Sequence, residues 1–152
     1  MLRKNFFIGV LIVLVVMIQG CMPVTKPFVP AKVEADKVLI YAYRPESFVA
    51  RGSTWSLKVN GKVASKYFIN NGYIPIYAKS GDINIELYHD NSFMTPNVYD
   101  KTVIAHTKAG DVYYLKAFMD FGGSPHFKLM DKSVGEKEIK SALYFEDQMN
   151  KK

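Results

Sequence analysis

Leu57-Lys58-Val59-Asn60-Gly61-Lys62-Val63 is the clearest local signal in the chain. Asn-Gly accepts positive φ at both central positions of a type I′ turn, and alternating residues flank it, so the stretch predicts a two-residue β-hairpin. Working outward, a second Asn-Gly (Asn71-Gly72) precedes the run from Tyr73 to Ala78, where Pro75 argues for an edge strand. Ser80-Gly81-Asp82 is a turn. After it Ile83, Ile85 and Leu87 alternate with Asn84, Glu86 and Tyr88, giving one buried and one wet face. Upstream, residues 38–43 (VLIYAY) are apolar on both faces, which predicts a central strand covered on both sides. Arg44-Pro45 ends it, because proline cannot donate to a ladder.

Downstream, residues 90–100 are polar, contain Pro96 and read as a loop. Residues 101–107 read as a strand with Val103 and Ala105 on one face and Ile104 on the other. Ala109-Gly110-Asp111 turns the chain into residues 112–119 (VYYLKAFM), another apolar strand. Gly122-Gly123-Ser124-Pro125 breaks it before a short last strand over residues 127–130. The period then changes. Ser133 with Glu136 is a capping-box signature, Ile139, Ala142, Leu143 and Met149 fall near helical spacing, and Lys151 and Lys152 suit a helix C-terminus. Strands followed by one helix predict a mainly β fold: a single antiparallel β-sandwich, or a barrel-like domain, with one C-terminal α-helix.

The N-terminus is an address. Arg3 and Lys4 precede an apolar run from Phe6 to Ile18, interrupted only by Gly9, followed by Gln19, Gly20 and the only cysteine, Cys21. A positive start, a short apolar middle and a small residue at the cut form a secretory signal pattern. Thirteen residues at about 1.5 Å each reach roughly 20 Å, short of the roughly 30 Å hydrocarbon core. Ile18-Gln19-Gly20-Cys21 resembles the lipobox of bacterial lipoproteins. Ile18 and Gly20 fit it, while Gln19 stands where that pattern has a small or branched residue. The resemblance implies cleavage between Gly20 and Cys21, a signal peptide over residues 1–20 and covalent lipid on Cys21. One acyl chain holds weakly and several hold durably. Met22 after Cys21 resembles the outer-membrane sorting class of a two-membraned cell envelope.

Residues 21–36 form the next unit, with Pro23, Pro27 and Pro30. Two readings stand. The segment is an extended tether reaching up to roughly 45 Å at about 3.1 Å per residue, or Phe28 and Val29 pack on the domain. The domain itself runs over residues 37–152. Ten Phe, ten Tyr and one Trp are available for its core, and a single cysteine leaves it without an internal disulfide. Without Arg3 and Lys4 the formal charge falls from +6 to about +4. The remaining basic residues are scattered, as on a solvated surface, and a nucleic-acid partner has no motif behind it.

Further features resemble the DUF2846 family of bacterial lipoproteins. They are Tyr41-Ala42-Tyr43-Arg44-Pro45, Val59-Asn60-Gly61, Asn71-Gly72-Tyr73, Ser80-Gly81-Asp82 and Ala109-Gly110-Asp111-Val112-Tyr113-Tyr114-Leu115, in that order behind the lipobox. This resemblance implies a small β-domain on a lipid anchor and carries over no active site.

Candidate chemistry is sparse. His89, His106 and His126 have no metal-ligand spacing, and there is no Gly-x-Ser-x-Gly elbow or phosphate loop. The expectation is therefore a non-enzymatic protein with no catalytic residues, no metal and no cofactor beyond the lipid on Cys21. Tyr41, Tyr43, Tyr113 and Tyr114 fall in two strands that could be neighbours. They would form a sugar-stacking or protein-binding face, or else fill the core. Arg44 is a candidate carboxylate clamp, or else an ordinary ion-pair partner. The leading expectation is an envelope interaction module that binds another envelope protein. The alternatives are a peptidoglycan- or glycan-binding sandwich and an inhibitor of a hydrolase.

Overall fold

The computed structural model describes residues 25–49, 51–89 and 97–145. Ten strands form two sheets. The strands are β1 (Thr25–Pro27), β2 (Val38–Arg44), β3 (Trp55–Val59), β4 (Lys62–Phe68), β5 (Gly72–Ala78), β6 (Gly81–His89), β7 (Asn97–Thr107), β8 (Val112–Met119), β9 (Pro125–Met130) and β10 (Leu143–Phe145). One sheet has the order β1-β10-β5-β2-β8-β9, the other β4-β3-β6-β7. Hairpins β3–β4, β6–β7 and β8–β9 each stay within one sheet, and most neighbours are antiparallel. Two pairings are parallel: β2 with β8, and β10 with β5.

The hairpin forms as the Asn-Gly chemistry requires. Asn60 and Gly61 have φ of 48° and 75°, and Val59 faces Lys62 across the turn. Every residue of β2 is buried. The even positions Val38, Ile40 and Ala42 enter the core between the sheets, with Leu57, Ile83, Ile85, Leu87 and Leu115. The odd positions Leu39, Tyr41 and Tyr43 enter a second core on the outer face of the six-stranded sheet, with Tyr73, Tyr114, Ile139 and Ala142. A strand buried on both faces has no need of alternation, which is why residues 38–43 read as a continuous apolar run.

The second core has an unusual lid. Residues 28–31 cross it, with Phe28 edge-on to Tyr41 and Tyr73 at 5.6 and 5.0 Å between centroids. The Ala31 amide donates to the Tyr41 hydroxyl (2.7 Å), and the Val29 amide to that of Tyr73 (3.1 Å). The Tyr77 hydroxyl donates to the Lys32 carbonyl (2.7 Å). Of the two readings for the proline-containing segment, packing on the domain holds for Phe28, while the Val29 side chain is 64% exposed and only its amide is held.

The C-terminal region differs from the sequence expectation. The helix α1 covers only Lys132–Glu138; a 3-10 turn, Ile139–Ser141, and strand β10 follow. Ser133 lies inside α1 and makes no cap. Asp131 holds the N-cap position without a side-chain bond, and its carbonyl accepts from the Val134 and Gly135 amides. Ile139 and Ala142 are buried as the helical stripe required. The chain then becomes a strand because β1 and β5 offer it ladders on both sides. Those partners lie far away in sequence, beyond what local periodicity reports. Met149, Lys151 and Lys152 lie outside the described residues. Gly135 lets α1 sit directly on β8, because a Cβ there would overlap the Tyr114 Cβ and ring. At the start of β7, Asn97 to Asp100 pair with β6 rather than forming loop. The rest of that predicted loop lies outside the described residues.

Candidate functional site

The sequence-derived candidates are placed as follows. Tyr41, Tyr43 and Tyr114 are buried, and Tyr41 stacks on Tyr114 at 5.3 Å. Tyr113 points to the opposite face, partly buried against the inter-sheet core, and its hydroxyl donates to Asp111 (3.1 Å). Alternation along β8 separates the adjacent tyrosines, so the four make no exposed aromatic face; their rings and hydroxyls are structural. Burial raises the Tyr41, Tyr43 and Tyr114 hydroxyl pKa values, Tyr114 to about 12, which keeps them neutral. Tyr43 donates to Glu138 Oε2 (2.8 Å), which also receives Lys116 Nζ (2.9 Å). Burial opposes ionisation of Glu138, but the bonds from Lys116 and Tyr43 outweigh it and leave that carboxyl below its ordinary range.

Arg44 is not a surface clamp. It is 2% exposed, lies 3.7 Å over the Trp55 ring and donates to the Ser53 carbonyl (2.7 Å) and hydroxyl (3.2 Å). Burial lowers its pKa to about 10. Cys21 and the Gly20 cleavage position lie outside the described residues.

Of the histidines, His106 is exposed at positive φ, its amide bonded to Asp82. His126 sits between two acids. Its Nε2 is 3.1 Å from Asp120 Oδ2, and its Nδ1 is 3.6 Å from Asp100 Oδ2. The carboxylates meet opposite ring nitrogens and do not converge on one point. Asp100 also accepts from the Phe127 amide (2.7 Å). This cluster ties β7 to β9 and closes one long side of the sandwich. Among the described residues no group of three or more His, Cys, Asp or Glu side chains could hold a metal.

The other long side is built differently. β4 is the outer strand of its sheet. Its pairing with β3 slips twice, between Trp55 and Leu57 and between Leu57 and Lys58, so β4 carries extra residues as bulges. Opposite it lies β5. β10 pairs only with Gly72 and Tyr73, so beyond Tyr73 no described strand flanks β5 on this side. Leu143 donates to the Asn71 carbonyl, so the odd residues of β5 turn their backbone outward. Pro75 is among them, its missing N–H on the free side, as edge prolines are placed. Tyr77 follows, with an outward amide and carbonyl.

Between these two edges lies a groove of about 550 Å³. Val59, Val63, Ala64, Pro75 and Ile76 give it apolar walls, and Lys62 and Lys79 stand on its rim. Val63 is 49% exposed, and no acid or histidine lines the groove. Neither lysine makes an ion pair among the described residues. The groove therefore offers strand-edge backbone, apolar contact and positive charge, and lacks an acid–base pair. Pro75 was the one sequence signal for it. The rest depends on which strand ends one sheet and on how far β10 runs along β5.

Compared with protein-family models, with curated proteins and with solved structures, the chain matches none.

Proposed function

We propose that this chain is a membrane-anchored lipoprotein of the bacterial cell envelope, held by lipid on Cys21, that acts as a non-enzymatic interaction module. Its β4–β5 groove takes an extended segment of another envelope protein. The observation that carries the reading is the meeting of two free sheet edges at one apolar groove with two lysines on its rim. Strand addition supplies main-chain hydrogen bonds to an incoming segment, and wall pockets select its alternate side chains. The lysines favour a segment bearing carboxylates and repel a basic one. Burial of Tyr41, Tyr43 and Tyr114 removes the face on which sugar stacking would have rested. The lipobox resemblance supports the anchor, and Met22 supports outer-membrane residence where two membranes exist. Among the described residues no helix is long and apolar enough to cross a membrane.

The test places a photo-crosslinking residue at Tyr77 in the groove and, separately, at fully exposed Phe121 at the opposite end. In living cells a discrete adduct is expected from position 77 and not from 121. Lys62→Glu with Lys79→Glu should abolish it. Equal labelling at both positions, or indifference to charge reversal, would contradict the reading. Cys21→Ala tests the anchor separately: it should release the protein from membranes or leave it uncleaved.

A further inference from the structure

We infer that the domain rides directly on the bilayer, so that the segment received by the β4–β5 groove belongs to a protein seated in the same membrane. This deepens the proposed function and rests on its lipid anchor and its groove.

The argument is one of reach. A free segment from Cys21 to Asp36 would let the domain stand up to roughly 45 Å away. Residues 25–32 are not free. β1 pairs with β10 from Thr25 to Pro27, Phe28 packs on Tyr41 and Tyr73, and the amides of Val29 and Ala31 are held by tyrosine hydroxyls. Only Met22, Pro23 and Val24 separate Cys21 from Thr25. Four Cα steps span at most about 14 Å.

The leash also leaves from the side that carries the groove. β1, β10 and β5 are successive strands, so β1 lies about 10 Å from β5 at the usual strand spacing. In register, Thr25 faces Phe145, one residue beyond the Tyr144–Tyr73 pair, which puts Thr25 level with the start of the free edge. From there to Tyr77 is three residues, about 10 Å along the strand. Together these keep the β5 lip of the groove within about 30 Å of the lipidated cysteine. A partner segment reaching it lies in the membrane-proximal layer, where another lipid-anchored or membrane-spanning protein places its juxtamembrane chain. The lysines on the rim fit a carboxylate-bearing stretch there.

The experiment uses the lipidated full chain in phosphatidylethanolamine–phosphatidylglycerol vesicles with acceptor dye on the headgroups. A donor dye is attached at Lys79→Cys, a unique thiol because Cys21 is the only native cysteine and carries the lipid. A second protein has 20 Gly/Ser residues inserted between Val24 and Thr25, adding about 25 Å of root-mean-square reach. Energy transfer should be strong in the parent and weaker with the insert. Equal transfer in both overturns the inference. So does an N-terminal peptide whose mass shows no acyl chains, and that result alone also removes the anchor. In cells the insert should lower the Tyr77 crosslink about tenfold, through lost effective concentration. A crosslink undiminished by the insert overturns the same-membrane partner while leaving the groove intact. The absence of any Tyr77 adduct in the parent removes the groove itself, and with it the inference.

Discussion

The two long sides of this sandwich solve the same problem in opposite ways. On one side β7 and β9 end their sheets face to face, and Asp100 joins them by accepting the Phe127 amide and approaching His126, which in turn meets Asp120. On the other, β4 ends its sheet and β5 lies bare beyond Tyr73, without such a tie among the described residues, and a groove of about 550 Å³ remains between them. An exposed strand edge invites unwanted pairing, and proteins blunt it with bulges, proline and lysine. The open side has all three: the bulges of β4, Pro75, and Lys62 with Lys79. These devices discourage indiscriminate pairing while leaving apolar walls exposed. The difference teaches that sheet edges can be closed by polar lacing or left guarded but unlaced, and the proposed partner segment would use the second kind.

The largest expected effect comes from unlacing the closed side. Asp100→Ala strands the Phe127 amide and removes one of the two acids beside His126, and should cost about 2–3 kcal/mol. Urea unfolding checks it, together with faster amide exchange at Phe127. If the variant is as stable as the parent, the closed side is not held by Asp100. A smaller effect is expected from the lid beside the open side. Tyr41→Phe and Tyr73→Phe each remove one hydroxyl acceptor, for about 1 kcal/mol apiece. The exchange of Ala31 and Val29 amides should rise accordingly, and unchanged exchange would mean that the lid is held by Phe28 packing instead.

Acid should separate the two sides further. Folding holds the Asp120 carboxyl below the ordinary 3.8, chiefly through the Ser124 amide; desolvation opposes this and His126 adds to it. A depressed carboxyl pKa contributes stability that is complete above 3.8 and lost as pH falls through the lower folded value. Amide exchange followed on acidification should therefore show Ser124 loosening below that pH before the amides of β5 do. Simultaneous loosening would mean that the ionised Asp120 does not hold the β8–β9 turn. The smallest effect on folding belongs to the groove rim. Lys62→Glu with Lys79→Glu is a surface change, expected to shift stability by no more than about 0.5 kcal/mol each, measurable as a near-constant Tm. A large drop would mean that the lysines serve the fold rather than a partner.

Much of the fold was legible because its causes are local. Asn60-Gly61 determines its own turn, residues 38–43 declare a strand covered on both faces, and Ile83, Ile85 and Leu87 alternate onto the core as read, although Tyr88, read on the wet face, is buried as well. The failures share a different cause. β10 and the first residues of β7 are strands because distant partners pair with them, and the helical stripe at Ile139 and Ala142 could not signal that the next residues join a sheet. The candidate site was less legible still. Tyrosine content suggested a binding face, but Tyr41, Tyr43 and Tyr114 are buried in the outer core, and Tyr113 packs against the inter-sheet core. The groove depends on β4 ending one sheet and on β10 stopping short along β5, and only Pro75 marked that bare stretch in advance. Asp100 was read as part of a polar loop, and no local pattern links it to His126.

Amide hydrogen exchange at Tyr77 tests the central claim most directly, comparing the purified protein with the same protein in membranes of the cells that make it, with Phe127 as internal reference. The account predicts that the Tyr77 amide exchanges quickly in isolation and becomes protected in membranes, while Phe127 stays protected in both. Equal exchange of Tyr77 in the two settings would contradict a partner strand on the open edge.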